Sequence, residues 1–264
     1  MTPTVAPATA EPRSQPATYG LDPSTARFSV AQYQRMIELG ILTANDKVEL
    51  LENYIVHKIP GNAPPPLSPQ PATYGRDPSI VRFSVAQYQK MIEAGILTIA
   101  DKVELLENYV VLKMTRNAPH DGTIDLVNAA LSPVVPRGWL FRSQQAVVLK
   151  DCQPEPDFAV VRGSPRSYLT RQPQAADCTL VIEVADSSIL RDQRDKTCTY
   201  ARAGIPTYWI VNLVDNRVEV YTLPSGPTAS PAYGALQTLV PGDGVPIVLD
   251  GVTVATVPVV DLLP

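Results

Sequence analysis

The chain has 264 residues, of which 45% are hydrophobic, and its formal net charge is −4. A chain of this length buries one large core or two small ones, so we expect one main domain with an additional segment. The acidic balance argues against a general binder of polyanions, because nonspecific affinity for nucleic acids comes mainly from neutralised phosphates. Any contact with DNA therefore has to use a local basic patch.

Cysteine usage and the N-terminus indicate the compartment. Cys152, Cys178 and Cys198 have no CxxC spacing, so they suggest neither a disulfide framework nor a zinc site. The N-terminal sequence MTPTVAPATAEPRSQ lacks the apolar stretch of a signal peptide, and no long apolar run typical of a membrane span occurs. We therefore expect a cytoplasmic protein that does not contact a membrane.

The segment VELLENY occurs twice, at 48–54 and 103–109. When residues 15–64 are aligned with residues 70–119, 38 of the 50 positions are identical. Solenoid repeats need at least three units to bury a continuous core, and this chain has two. The repeat therefore indicates a recent partial duplication.

The two copies lead into different sequences. Residues 60–71, after the first copy, contain six prolines and predict an extended linker, whereas the second copy continues into a potential amphipathic helix. We predict a disordered proline-rich tail over 1–15, a partial duplicate of the N-terminal segment over 16–59, and a working domain over 72–264. The duplicate either docks on that domain or forms a short helix and strand alone.

Periodicity in the working domain predicts both helices and strands. A helix capped by Ser84 precedes one or two strands over 102–114, with Glu107 in a turn, and another helix is expected over 120–132. Further strands are expected over 139–150, 157–161, 179–185, 207–211 and 217–221, with a helix ending at Gly204 between 179–185 and 207–211. This order predicts an α/β domain with a mixed sheet flanked by helices.

Two acids stand out within these apolar strands. Side chains alternate along a strand, so Glu183 shares a face with Val181 and Ala185, and Asp157 lies at the start of another apolar strand. If the two strands are neighbours, both carboxylates converge at one end of the sheet. Such a pair repels itself unless it shares a proton or binds a cation. Magnesium suits it, because Mg²⁺ takes one or two carboxylates and keeps several waters.

Several motifs around these acids resemble a known family. They are PD at 156–157, VIEVADSS at 181–188 and RDQRDKTCTYARAGIPTYWIVNLVDNRVEVY at 191–221, with DKVELLENYVVLKM, NAPH and VPVVDLLP on either side. Together they resemble the Uma-two restriction endonuclease family of the PD-(D/E)XK nuclease superfamily, over roughly residues 80–264. The resemblance implies a PD-(D/E)XK nuclease-like fold and hydrolysis of phosphodiester bonds, of DNA, with Mg²⁺ or its substitute Mn²⁺.

The resemblance also implies roles for individual residues. In that superfamily an aspartate and a glutamate ligate the metal, here Asp157 and Glu183. A lysine two residues after the glutamate positions or activates the attacking water, but this chain has Ala185 there. The resemblance therefore implies that Lys196, on the following helix, takes that role. An ion pair between Lys196 and Asp192, one helical turn apart, is the alternative.

Three further residues enter as accessories to this site. Glu107 resembles the N-terminal acid that many such nucleases add to the metal shell, with an ordinary turn glutamate as the alternative. His120 stands at a helix start where the family pattern also has histidine, with a surface histidine as the alternative. Asp192 precedes Lys196 by four residues and lies on the same helix face.

Some positions depart from the family pattern. Asp186 and Ser187 replace a usual proline and serine, and Thr207 and Asn212 stand where acids are frequent. A catalytically inactive nuclease fold that binds nucleic acid or a protein partner is therefore the alternative function. Six arginines near the motifs are expected to attract DNA, at 162, 166, 171, 191, 194 and 202. A homodimer that cuts both strands is one arrangement that the resemblance allows.

Overall fold

A computed structural model describes residues 24–51, 53–58, 79–113 and 116–264. The tail expected over 1–15 and the linker expected over 60–71 lie outside these ranges. Within the described residues, no helix combines the length and the apolar character needed to cross a membrane.

The two repeat copies fold alike. The first consists of helix α1 (Val30–Glu38) and the antiparallel strands β1 (Val48–Leu51) and β2 (Tyr54–His57); the second consists of α2 (Val85–Glu93), β3 (Val103–Leu106) and β4 (Tyr109–Leu112). Both helices begin at a capping box, in which the hydroxyl of Ser29 or Ser84 accepts a hydrogen bond from the backbone N–H three residues later. The cap predicted at Ser84 is therefore confirmed, as is the turn at Glu107.

The first copy docks on the second. Both contribute to one apolar core, in which Met36 and Met91 are fully buried and the rings of Phe28 and Phe83 meet with centroids 6.0 Å apart. A fully buried side chain of this size contributes about 1.5–3 kcal/mol. Of the two arrangements expected for the duplicate, the structure therefore has the docked one.

The remaining chain builds a six-stranded sheet. Its elements are α3 (Ala118–Leu131), β5 (Trp139–Ser143), β6 (Phe158–Arg162), β7 (Cys178–Ala185), α4 (Ile189–Arg191), α5 (Thr197–Ala203), β8 (Thr207–Asn212), β9 (Arg217–Pro224) and β10 (Tyr233–Leu239), followed by the hairpin β11 (Gly244–Leu249) and β12 (Val252–Pro258). The strand order is β10-β9-β8-β7-β6-β5, and β7 and β8 are parallel while the other neighbours are antiparallel. The mixed sheet flanked by helices confirms the predicted α/β class.

Two apolar layers cover this sheet. Leu131 of α3 packs in the same buried cluster as Ile182 and Trp209, whereas Tyr200 of α5 packs with Val181 on the opposite face. The helical stretch between β7 and β8 follows from their parallel pairing, because parallel neighbours need a long crossover connection. That crossover brings Asp192 and Lys196 toward the end of β7.

Two parts of the sheet differ from expectation. The strand predicted over 139–150 ends at Ser143, because Gln144 takes a left-handed φ of 53° and its N–H donates to the carbonyl of Asp157. We did not predict the strands after residue 224. The pair Asp250 and Gly251, with positive φ at both residues, is the turn signal that marks the last hairpin.

Candidate active site

The predicted site residues meet in one cavity at the end of β7. Asp157 lies just before β6, Glu183 lies within β7, and His120 belongs to the first turn of α3. Asp192 and Lys196 come from the crossover between β7 and β8. Five of the six residues that we predicted therefore line the same cavity, although they come from four separate places in the fold.

Asp157 is held in a fixed orientation. Its Oδ2 accepts a hydrogen bond of 2.9 Å from the backbone N–H of Val184 and lies 3.4 Å from His120 Nε2. Burial opposes ionisation, but His120 and the Lys196 ammonium together hold the pKa of Asp157 below its usual value. The contact with Asp157 in turn raises the pKa of His120 against the effect of burial. Asp157 is therefore a carboxylate at neutral pH.

Glu183 is more deeply buried and is contacted at both oxygens. Tyr200 donates its hydroxyl to Oε1 at 2.8 Å, and Lys196 Nζ lies 2.8 Å from Oε2. Burial, reinforced by the Asp157 and Asp192 carboxylates, raises the pKa of Glu183 to about 8 despite the lysine. Glu183 therefore gains or loses a proton close to neutral pH.

A π-helical turn delivers the lysine. Residues Asp192–Lys196 form this turn between α4 and α5, and Lys196 Nζ also lies 3.4 Å from Asp192 Oδ1. Such turns insert an extra residue into a helix and often occur at functional sites. Gln193 anchors the turn by donating a 2.8 Å hydrogen bond to the buried Glu219 on β9. Lys196 thus makes both the contact expected for a catalytic lysine and the alternative ion pair.

Three buried acids surround one lysine in this cavity. Asp157, Glu183 and Asp192 are 7%, 2% and 1% exposed, and Lys196 is the ammonium that they share. Burial alone lowers the pKa of Lys196, but the attraction of Glu183 and Asp192 raises it above its usual value. In the described part of the chain, Asp192 Oδ1 has no hydrogen-bond donor. Glu183 therefore keeps its proton near neutral pH, and ionising all three acids is costly unless a further cation offsets the charge.

Glu104 is a site residue that we missed. It lies in β3, is 4% exposed, and lines the cavity, where Oε1 is 3.3 Å from Arg191 Nη2. The signal was the one that singled out Glu183, an isolated acid within an apolar strand. The hairpin of the second repeat copy therefore does contribute an acid to the site.

Glu107, the acid that we chose in this hairpin, lies elsewhere. It takes a left-handed φ of 52° in the turn between β3 and β4, and its carboxylate pairs with Arg202 of α5. Its N–H donates to Cys152 Sγ at 3.1 Å. These contacts fasten the hairpin to the main domain and leave Glu107 outside the cavity lining.

The six arginines expected to attract DNA do not form one patch. All six are described, and Arg191 is the one that lines the cavity. Four of the others pair with acids elsewhere: Arg162 with Asp250, Arg171 with Asp177, Arg194 with Asp195 and Arg202 with Glu107. The cations that line the cavity are instead Lys113, which pairs with Glu155, Arg191, which pairs with Glu104, and the exposed Arg116.

The donors present suit a hard cation that keeps much of its water. Among the described residues, no group of three or more His, Cys, Asp or Glu side chains is arranged to hold a metal ion by itself. Mg²⁺ is commonly bound through one or two carboxylates, with waters and substrate oxygens completing its shell. Asp157 and Glu183 supply two such carboxyl groups, and Asp192 adds a third acid whose Oδ1 accepts no hydrogen bond and lies 3.4 Å from Lys196 Nζ. The residues therefore fit Mg²⁺ or Mn²⁺.

Comparisons with known proteins place the chain in a family. No curated protein matches it. A crystal structure described as a "putative nuclease belonging to DUF820 from Anabaena variabilis ATCC 29413" is similar, with 15% sequence identity, a TM-score of 0.48, and coverage of 68% of this chain and 97% of that chain. Residues 85–255, well over half of the chain, match the model of the family described as "Uma2: Putative restriction endonuclease". The chain therefore belongs to the Uma2 family.

Proposed function

We propose that this protein is a metal-dependent endonuclease that hydrolyses phosphodiester bonds of DNA, with its active site in the cavity at the end of β7. The observation that carries the proposal is the set of three buried acids, Asp157, Glu183 and Asp192, around the single ammonium of Lys196. Such an arrangement lowers stability and is retained where a cation and an anionic substrate complete it. Membership of the Uma2 family supports the same reaction.

Each side chain has a distinct task in this proposal. Asp157 and Glu183 hold Mg²⁺, which when bound acts as a Lewis acid and lowers the pKa of a water. Val184 N–H and Tyr200 O–H fix the orientation of the two carboxylates. Lys196 orients the attacking water and offsets the charge that develops on the phosphate. Ala185 cannot supply that ammonium, and Lys196 places one 2.8 Å from Glu183 Oε2.

The cavity rim provides the contact with the substrate backbone. Arg116 is exposed at the rim, and Lys113 and Arg191 line the cavity beside it. Phosphate oxygens accept hydrogen bonds from such side chains, which position a nucleic acid without reading its sequence. Because the net charge of the chain is −4, the attraction of DNA has to come from a local patch of this kind.

The direct test is cleavage of supercoiled plasmid and single-stranded DNA by the purified full chain with Mg²⁺, Mn²⁺ or EDTA, beside Asp157→Asn. We expect nicking or cutting that requires the metal ion and falls at least about a hundredfold in the variant, as for removal of a group that acts in the transition state. Equal residual activity in both proteins indicates a contaminating nuclease.

The alternative function, an inactive binding module, has a distinct outcome in that assay. Ala185, fully buried in place of the usual lysine, is the observation that favours it. It predicts that the folded wild type cuts no substrate under any metal condition and still retards DNA on a native gel. That result would reject the endonuclease proposal and leave the rim cations as a binding surface.

Glu104 is expected to matter for cleavage, and the repeat offers a matched control. Glu104→Gln removes a buried acid from the cavity and leaves Arg191 without its acidic partner, so we expect cleavage to fall about tenfold or more. Glu49 occupies the same place in the first copy, but it is exposed there. Glu49→Gln is therefore expected to cut like the wild type, and equal losses in both variants would contradict a role for Glu104 in the site.

A further inference from the structure

The contact between the two repeat copies is made twice, in opposite directions. Thr25 of the first copy lies opposite Val111 of the second, and Ile80 of the second lies opposite Val56 of the first, each as an antiparallel bridge. Residue 25 aligns with residue 80 in the repeat, and residue 56 aligns with residue 111. The two bridges are therefore the same contact, related by exchange of the copies.

The helices repeat this reciprocity. Gln32 donates a 2.7 Å hydrogen bond to the carbonyl of Ile96, and its equivalent Gln87 donates a 2.8 Å hydrogen bond to the carbonyl of Ile41. A pseudo-two-fold axis consequently relates the copies and passes between the equivalent rings of Phe28 and Phe83. An interface in which one patch meets its own equivalent is the kind that builds symmetric dimers.

The second copy is complementary to itself. Ile80, Phe83 and Gln87 contact three residues of the first copy, and each of these has an identical residue at the aligned place in the second. These pairs, first copy then second, are Val56 and Val111, Phe28 and Phe83, and Ile41 and Ile96. A second copy from another chain therefore offers the same partners that the first copy offers now.

The other face of the first copy carries no domain of its own. Leu106 is fully buried in a cluster with Tyr54, Val56 and Ile80, whereas its equivalent Leu51 is 40% exposed. The contacts that hold the second hairpin, such as the bridge from Leu105 to Gln153, belong to the second copy. The first copy thus resembles one half of a dimer interface from which the rest of the partner is missing.

We propose that the N-terminal copy is a built-in pairing partner, which covers a self-association surface of the second copy. When the first copy is released, residues 79–112 of one chain pair with residues 79–112 of another about the same two-fold axis. Tethering within one chain gives the first copy an effective concentration of about a millimolar. At micromolar protein concentrations the closed monomer therefore predominates over the paired form. This inference concerns assembly and does not depend on the proposed nuclease activity.

The test uses the full chain with Ile80→Cys and Val111→Cys, in the presence or absence of Phe28→Asp, and with the half-buried Cys198 replaced by serine. In the closed monomer the two new cysteines face Val56 and Thr25, so they do not meet. In the paired form, position 80 of each chain faces position 111 of the other chain. The two positions then have the separation of an antiparallel pair, which suits a disulfide. We expect Phe28→Asp to yield disulfide-linked dimers on a nonreducing gel and doubled mass in light scattering.

Phe83→Asp, the matched change in the second copy, damages both kinds of pairing and is expected to yield no dimer. A third protein serves as a control for correct folding. With Thr25→Cys and Val111→Cys it should form a disulfide within one chain and stay monomeric. The proposal is overturned if the Phe28→Asp protein stays folded by circular dichroism but shows neither the disulfide-linked dimer nor the doubled mass. It is equally overturned if the cross-linked dimer forms readily when Phe28 is intact.

Discussion

Replacing Lys196 with methionine is expected to abolish DNA cleavage and to lower the free energy of unfolding by about 3–5 kcal/mol at pH 8, the usual result of removing one partner from a buried ion pair. The reason is that Glu183 and Asp192 lose the ammonium at 2.8 and 3.4 Å, while Asp157 loses a nearby positive charge. Three buried carboxylates then remain with too little compensation. Urea denaturation of the full chain measures the effect.

The pH dependence separates this cause from a simple loss of packing. Protonation of the carboxylates relieves their repulsion, so the penalty of Lys196→Met should be smaller at pH 5 than at pH 8. Lys150, which is exposed, provides the control, and Lys150→Met is expected to change the free energy of unfolding by less than about 0.5 kcal/mol. A penalty for Lys196→Met that is small or independent of pH would contradict the charge balance described for the cavity.

Glu183→Gln is expected to abolish cleavage and, in contrast, to stabilise the fold at alkaline pH. The folded-state pKa of about 8 lies above the unfolded value of about 4.3, so the folded protein binds this proton more tightly. The wild type therefore has this contribution to stability at low pH and loses it as the pH rises from about 4.3 to 8. Glutamine has no proton to lose, so the variant should gain relative to the wild type across that window.

Glu219 offers the control of opposite sign. It is equally buried by its exposed area, and it pairs with Ile210 of β8, which also pairs with Glu183 of β7. Burial raises the pKa of Glu219, but hydrogen bonds donated by Asn212, Gln193, Arg217 and Tyr221 together hold it below the usual value. The stability that it contributes is present above the unfolded pKa and is lost as the pH falls. Glu219→Gln should therefore destabilise the protein most at pH 8. If Glu183→Gln behaves like Glu219→Gln, Glu183 is not the strained acid of the site.

Local patterns were sufficient to predict much of this fold and site. Alternation placed Glu183 on the face of Val181 and Ala185, and both belong to the apolar cluster that flanks it. The placement of Asp157 beside β7 needed one assumption, that two strands are neighbours, and β6 pairs with β7. An isolated acid in an apolar strand is informative because burial without a partner is so costly.

Other features depend on contacts that sequence does not reveal. The same residues VELL are all buried in β3 but partly exposed in β1, and among the described residues the main domain contacts the second hairpin through Asp151 and Gln153. For the same reason Glu104 belongs to the site and Glu49 does not. The π-helical turn at Asp192–Lys196 has no periodic signature, and it decides where Lys196 points. The reciprocal docking of the repeats likewise needed the three-dimensional arrangement.

The central claim is that the three buried acids form a centre for a divalent cation. Titration of Mn²⁺ into the wild type and Asp157→Asn, followed by electron paramagnetic resonance and by proton release, tests it most directly. We predict that the wild type binds Mn²⁺ and releases protons near pH 7, because Glu183 must ionise, and that the variant binds at least about tenfold more weakly. Equal binding by both proteins, or no binding by either while both remain folded, would contradict the claim.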